Sequence, residues 1–204
     1  MASTALPFDE RLERLLSTAA RVFADKGYHA TTMRDLARAT GMSLAGMYYY
    51  VRGKDQLLYL IQERCFNQVL AGAQAAIADG TGPSDRLTRF IRHHVTFFAQ
   101  HMSEMKVLSH EARSLNGARL ERVKRVKRRY VELLTKLIGD LDAGGDGRTD
   151  PRLATFALFG MMNWIYTWYD PRGPVPPETL AEHFAQLFLT GAAAASPSVA
   201  QGGL

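Results

Sequence analysis

The chain has 204 residues, 47% of them hydrophobic, with 25 lysines and arginines against 20 acids and a net charge of +5 at neutral pH. That apolar content builds a real core and excludes global disorder, while the positive excess favours acidic partners such as nucleic acid, although so modest an excess also serves plain solubility. Cys65 is the lone cysteine, which excludes a disulfide framework or a cysteine-based zinc cluster and fits a reducing, cytoplasmic setting; the amino terminus lacks the features of a secretory signal, and no apolar run approaches the ~18 residues of a membrane span, so no membrane partner is expected.

The helical period then governs the chain. Leu12, Leu15, Leu16, Ala19, Val22 and Phe23 paint one stripe on a first helix that stops at Gly27. Thr32, with Asp35 three residues on, is a capping-box start for a short helix over residues 33–40 that ends at Gly41. Ser43 caps a second short helix from Leu44 to Val51, broken by Arg52 and Gly53. From Lys54 the pattern stays helical to Asp79, a rod of about 39 Å. The stretch "DGTGPS" marks a turn, after which Ser84 opens a helix with Leu87, Phe90, Ile91, Val95 and Phe98 on its inner side. A shorter helix is expected over residues 103–115. A longer one starts near Gly117, turns Val123, Val126, Tyr130, Leu134, Leu137 and Leu141 inward, and stops in "DAGGDG". Asp150 and Pro151 form a cap and first-turn pair for a helix running through "LATFALFGMMNWIYTWY", apolar nearly all round. The prolines of "DPRGPVPP" separate it from a last helix over residues 178–189, and residues 1–8 and 191–204 read as disordered. The expectation is an all-α chain of about nine helices.

Residues 32–51 have the spacing of a helix-turn-helix, whose second helix enters the ~12 Å major groove while the first crosses the backbone. Any pair of hairpin helices shares that spacing, but the local sequence adds to it. Across residues 12–63 the pieces "FADKGY", "ATTMRDLA", "GMS", "MYYYV" and "KDQLL" stand in order, and the segment resembles the N-terminal domain of the TetR family of bacterial transcriptional regulators. The resemblance implies an all-α homodimer with a DNA-binding domain at residues 9–54, a linking helix from 54 to about 79, and a ligand-sensing and dimerisation domain over 55–190. It implies a repressor on double-stranded operator DNA, released by a small molecule. It also implies roles for side chains: Thr32 and Ser43 at helix starts touching phosphate, Tyr48, Tyr49 and Tyr50 against the backbone, and Lys54 at the start of the next helix. Oriented N–H groups and a lysine charge suit anionic oxygens; simple capping explains the two hydroxyls equally well. Leu44 stands where the family is often basic and Gly46 where it often carries threonine. Leu44, Ala45 and Gly46 therefore leave direct base reading thin, beyond contact of Leu44 with a thymine methyl. At about 100° per residue the tyrosines fan out, with Met47 and Val51 inward and Tyr49 outermost.

A sensing domain encloses its ligand between helices, with apolar and aromatic walls and a few polar anchors. The candidates are Phe66, Phe90, His94, Phe97, His110, Arg113, Met161, Trp164 and Trp168, each of which also reads as ordinary core or subunit interface. In the TetR family the last two helices of each subunit form a four-helix dimer interface, and residues 151–170 and 178–190 occupy that place. "EMKVLSHEARSL", "RVKRVKRRY" and "FGMMNWIYTWYDPRG" resemble segments of members governing fatty-acid, sterol and related acyl-CoA catabolism. That implies an acyl-CoA effector whose phosphates would meet Arg119, Arg122, Lys124, Arg125, Lys127, Arg128 and Arg129; a solvated helix face or a second DNA contact explains these residues as well. His93 and His94 point about 100° apart on a helix and do not share a metal easily. His110-Glu111 lacks the second histidine of the zinc-protease pattern, and no nucleophile elbow, phosphate loop or dinucleotide fingerprint is present. No cofactor is expected. The alternatives are a helical protein-interaction adaptor and, on weaker grounds, a small all-α enzyme.

Overall fold

The computed structural model describes residues 8–111, 113–142 and 150–194; the expectations for residues 1–7, 143–149 and 195–204 lie outside them. The described chain is all-α: α1 (Phe8–Lys26), α2 (Met33–Thr40), α3 (Leu44–Tyr50), α4 (Lys54–Ala78), α5 (Pro83–Gln100), α6 (Met102–His110), α7 (Gly117–Asp142), α8 (Pro151–Asn163) and α9 (Pro177–Ala194), with a 3₁₀ turn at Trp164–Thr167.

Local chemistry sets the helix ends. Gly27 takes φ +86 and its N–H closes on Phe23 O at 3.0 Å, ending α1. Gly41 takes the left-handed conformation at φ 69, where a side chain would be strained, and stops α2. Three boundaries differ from the periodic reading. α6 stops at His110 rather than at Leu115, because Glu111 N–H closes on Val107 O and the Ser114 hydroxyl turns back onto the Glu111 carboxylate at 2.5 Å. α8 gives way to the 3₁₀ turn after Asn163: Trp168 and Tyr169 N–H both reach Ile165 O just ahead of Asp170-Pro171, and a residue before proline is held out of the helical region. α9 runs past Leu189 to Ala194, into the stretch expected to fray, carried by alanines of high helix propensity.

The chain divides into two compact units, Met1–Gln68 with His101–Arg128 and Val69–Gln100 with Arg129–Leu204. In the first, Leu15, Leu16, Ala19 and Phe23 of α1 pack with Leu36, Met47, Leu57, Leu58 and Ile61, and Val107, Leu115 and Val123 join the same cluster. The sixth helix and the start of the seventh therefore share a core with the helix-turn-helix. Each fully buried aliphatic or aromatic side chain there contributes about 1.5–3 kcal/mol. In the second unit α5 buries Leu87, Phe90, Ile91, His94, Val95 and Phe98, and packs along α9. Here α4 and α5 approach closely at Gly72: a Cβ on that residue would collide with His93 Cε1.

Candidate nucleic-acid interface and sensor core

The two short helices begin with the same device and differ in what remains open. At α2 the Thr32 hydroxyl accepts from Asp35 N–H at 3.2 Å, while Thr32 N–H and hydroxyl both donate to Asp35 Oδ2, at 2.9 and 2.7 Å. Lys26 completes the knot at 2.6 Å. Its ammonium, followed by the Thr32 hydrogen bonds, holds the Asp35 carboxyl well below the usual carboxylate range. This helix start thus carries its own anion. At α3 the Ser43 hydroxyl accepts from Gly46 N–H at 3.0 Å, and no acid stands in the first turn. A Cβ on Gly46 would sit 3.2 Å from Ser43 Oγ, so glycine at this position keeps the cap tight.

From that cap α3 presents Leu44 (37% exposed), Tyr48 (54%) and Tyr49 (74%), with Ala45 exposed, Gly46 and Tyr50 half-buried, and Met47 and Val51 in the core. The rings of Tyr49 and Tyr50 meet edge to face at 5.2 Å. Thr32, Ser43, Leu44, Ala45, Gly46, Tyr48, Tyr49 and Tyr50 all belong to one compact unit. Lys54 occupies a different environment from the one its sequence position suggests. Its ammonium donates to three carbonyls of the turn before α2, Tyr28 O at 3.0 Å, His29 O at 3.1 Å and Thr31 O at 3.1 Å, and lies 4.6 Å over the Tyr28 ring. All three ammonium hydrogens are used within the chain. The Tyr28 hydroxyl donates to Asp55 beside it; burial first, and that carboxylate second, push the phenol above its ordinary pKa. The first turn of α4 is thereby tied to the turn that aims α2. Gln62 Nε2 donates to Glu111 O at 3.0 Å, tying α4 to the end of α6 in the same way. Sequence reading missed both links because their partners lie 23–49 residues apart.

The residues proposed for ligand contact divide between the units. Phe66, His110 and Arg113 belong to the first, where Phe66 packs partly buried against the core and the other two are exposed. The other six belong to the second. Phe90 and His94 are buried at its centre, where the His94 ring stacks with Tyr130 at 5.9 Å and lies 4.8 Å from Phe98 and 5.7 Å from Phe159. Phe97 is half-buried beside Phe98 and His93, and Met161 is half-buried on α8. Trp164 and Trp168 stand 60% and 56% exposed, away from that centre. With Leu153, Phe156 and Gly160, Trp164 forms an uncovered stripe at i, i+3, i+7 and i+11 along α8 and its extension. Leu187 of α9 is 63% exposed.

On α7 the basic run is solvated: Arg122, Lys124, Arg125, Lys127, Arg128 and Arg129 are exposed. Arg122 and Arg119 also lean on Tyr59, by a 3.4 Å hydrogen bond and a 5.8 Å cation–π contact. Among the described residues no group of three histidine, cysteine or acidic side chains is placed to hold a metal, and no helix is long and apolar enough to cross a membrane.

A fold of this kind with a reading surface of this kind defines a helix-turn-helix transcriptional regulator. Residues 15–59 match the family model for bacterial regulatory proteins of the tetR family, and residues 80–192 that for the tetracyclin repressor-like C-terminal domain. The chain belongs to the TetR family, whose members are DNA-binding regulators and not enzymes. It is 25% identical to the HTH-type transcriptional repressor KstR2 of Mycolicibacterium smegmatis over 186 residues, 89% of this chain and 90% of that one. It also superposes on PfmR, a TetR-family regulator of Thermus thermophilus, with a TM-score of 0.79 and 29% identity over 87% of this chain and 97% of that one. AibR, solved with isovaleryl coenzyme A and operator DNA, gives a TM-score of 0.76 and 28% identity over the same shares.

Proposed function

We propose that this regulator is a cytoplasmic repressor that binds operator DNA as a homodimer and is released by an acyl-CoA thioester. The observation that carries the DNA reading is the α3 surface: an open, hydroxyl-capped helix start followed by two exposed tyrosines, over a core that fixes Met47 and Val51. Rigid phenol hydroxyls and an uncompensated helix start suit phosphate oxygens. In this reading residues 9–54 form the DNA-binding domain and 55–190 the sensing and dimerisation domain. Thr32, Ser43 and Tyr48 to Tyr50 grip the backbone, Leu44 to Gly46 approach the base edges, and Lys54 acts by holding the turn that orients α2.

The uncovered stripe on α8 supports pairing with a second copy through α8 and α9, and in this reading the exposed Trp164 and Trp168 serve that interface rather than the ligand. Phe90, His94, Phe97 and Met161 are left to meet the effector in the second unit. The acyl-CoA class is supported by the relative solved with isovaleryl coenzyme A and by the solvated basic run of α7, which suits nucleotide phosphates. α4 is continuous between the segments assigned to the two units, and the response to effector runs along it in this reading.

The test is anisotropy of labelled DNA from upstream of the gene itself, titrated over a range of salt concentrations. Sequence-specific binding that Tyr49→Phe weakens about threefold, with folding stability within about 0.5 kcal/mol of the parent, is the expected result. Binding that ignores sequence, or is unmoved by the lost hydroxyl, overturns the assigned grip. Acyl-CoA thioesters are then added to the complex; failure of any to release the DNA overturns the effector class.

A further inference from the structure

Among the described residues four polar side chains are fully buried, and three of them are satisfied. The Thr31 hydroxyl donates to Gly27 O at 2.7 Å, Gln62 to Glu111 O at 3.0 Å, and Thr155 to Pro151 O at 2.7 Å. His94 is the exception. Its Nδ1 lies 2.9 Å from the Tyr130 hydroxyl, but its Nε2 has no hydrogen-bond partner, at 1% residue exposure. An orphaned buried nitrogen is costly, and native proteins keep few of them without a use.

The surroundings define what the nitrogen is for. A phenol donates more readily than it accepts, so the Tyr130 hydroxyl gives its hydrogen to Nδ1 and the ring hydrogen resides on Nε2. The free group is therefore a donor. Burial, with His93 adding to it, drives the imidazole pKa down to about 3, so this donor is uncharged at any physiological pH. A hydrogen-bonding interaction with the Asn163 side chain pulls the other way, yet no contact of full hydrogen-bond geometry reaches Nε2. An uncharged donor walled by Phe90, Phe98, Tyr130 and Phe159 gives no compensation for desolvating a carboxylate or phosphate. It matches a neutral acceptor oxygen carried on apolar skeleton.

We propose that His94 Nε2 donates a hydrogen bond to the carbonyl oxygen of the effector, with Tyr130 as the positioning residue that fixes the ring hydrogen on that nitrogen. This deepens the effector reading above and rests on it. Recognition is then divided: the phosphate-bearing part of a thioester is held elsewhere, while its acyl carbonyl is read inside the aromatic cluster.

The experiment compares a thioester with its thioether analogue, decanoyl-CoA against S-decyl-CoA, which lacks the carbonyl oxygen, by calorimetry on the full chain. The wild type is expected to bind decanoyl-CoA about tenfold more tightly, and His94→Phe, which keeps an aromatic ring but no donor, to bind the two equally. Tyr130→Phe should lose part of the preference and keep the affinity for the thioether. The double variant His94→Phe/Tyr130→Phe removes the phenol together with the imidazole it faces and serves if the single histidine variant fails to fold. Equal binding of the two CoA compounds by the wild type overturns the anchor and leaves the acyl-CoA reading standing. If neither CoA compound binds, that reading fails, and 2-undecanone against undecane tests the anchor separately. Preference for the ketone, lost in His94→Phe, upholds it, and no preference overturns it.

Discussion

Different chemistry holds each of the two units together. The first ties its turns and helices with polar links between positions far apart in the chain: Lys54 to three carbonyls, Tyr28 to Asp55, Lys26 to Asp35, Gln62 to Glu111. The second gathers aromatic rings around a histidine and leaves one nitrogen unanswered. A reading head has to present one fixed surface, and hydrogen bonds between turns far apart in sequence fix it. In the role proposed for it, the second unit has to change its free energy when an effector arrives, and an unpaired donor supplies such a difference.

The sharpest way to break that contrast is Lys54→Ala. It strips a charged donor from three carbonyls at once, and the half-buried setting leaves water only part of the work of replacing it. A loss of about 3 kcal/mol in urea unfolding is expected, with operator affinity falling because the turn before α2 is no longer held. Retention of full stability would show that the carbonyls are served equally well by solvent, and that the first unit does not depend on its polar links.

In the second unit the matching test acts through packing. Gly72→Ala sets a methyl into the His93 ring, which would have to leave its 3.2 Å hydrogen bond to Val69 O. A cost of about 2 kcal/mol is expected from overpacking, measured by the same unfolding assay. A neutral outcome would mean that α4 and α5 separate at little cost, and that the sensor is softer than its packing suggests.

Much of the reading head was legible in the sequence because its signals are local and agree with one another. Thr32 with Asp35, Gly41, and Ser43 punctuate the chain at the spacing that the buried Leu36 and Met47 require, and the fan of tyrosines follows from helix geometry alone. What the two caps do next was not legible. Both appear in sequence as a hydroxyl at a helix start, yet Lys26, nine residues upstream, closes one with Asp35 and nothing of the kind closes the other. The use of Lys54 was hidden for the same reason, its partners lying two helices away in the chain. In the sensor, aromatic and histidine positions on a periodic helix mark burial but not company. Phe90 and His94 came together with Tyr130, whereas Trp164 and Trp168, equally apolar, turned outward where α8 tightens. Periodicity reports which face is apolar, and an apolar face awaiting a second chain looks the same as one already covered.

The smallest effect is the most diagnostic of the polar ties. Tyr28→Phe removes the hydroxyl that donates to Asp55 and keeps the ring that meets Phe23 at 5.2 Å and underlies the Lys54 ammonium. Asp55 is exposed and falls back on water, so the cost should be only about 1 kcal/mol. The sign of its pH dependence identifies the cause. The folded phenol is held above its ordinary pKa by burial and by Asp55. Its contribution is therefore complete below the unfolded value of about 10 and declines as pH rises past it, because the unfolded chain ionises first. Wild type and Tyr28→Phe should differ by a constant amount between pH 7 and 9 and converge above pH 10 in urea midpoints. A difference that persists unchanged to pH 11 would mean that the phenol titrates alike folded and unfolded. The tie between α4 and the turn before α2 would then rest on Lys54 alone.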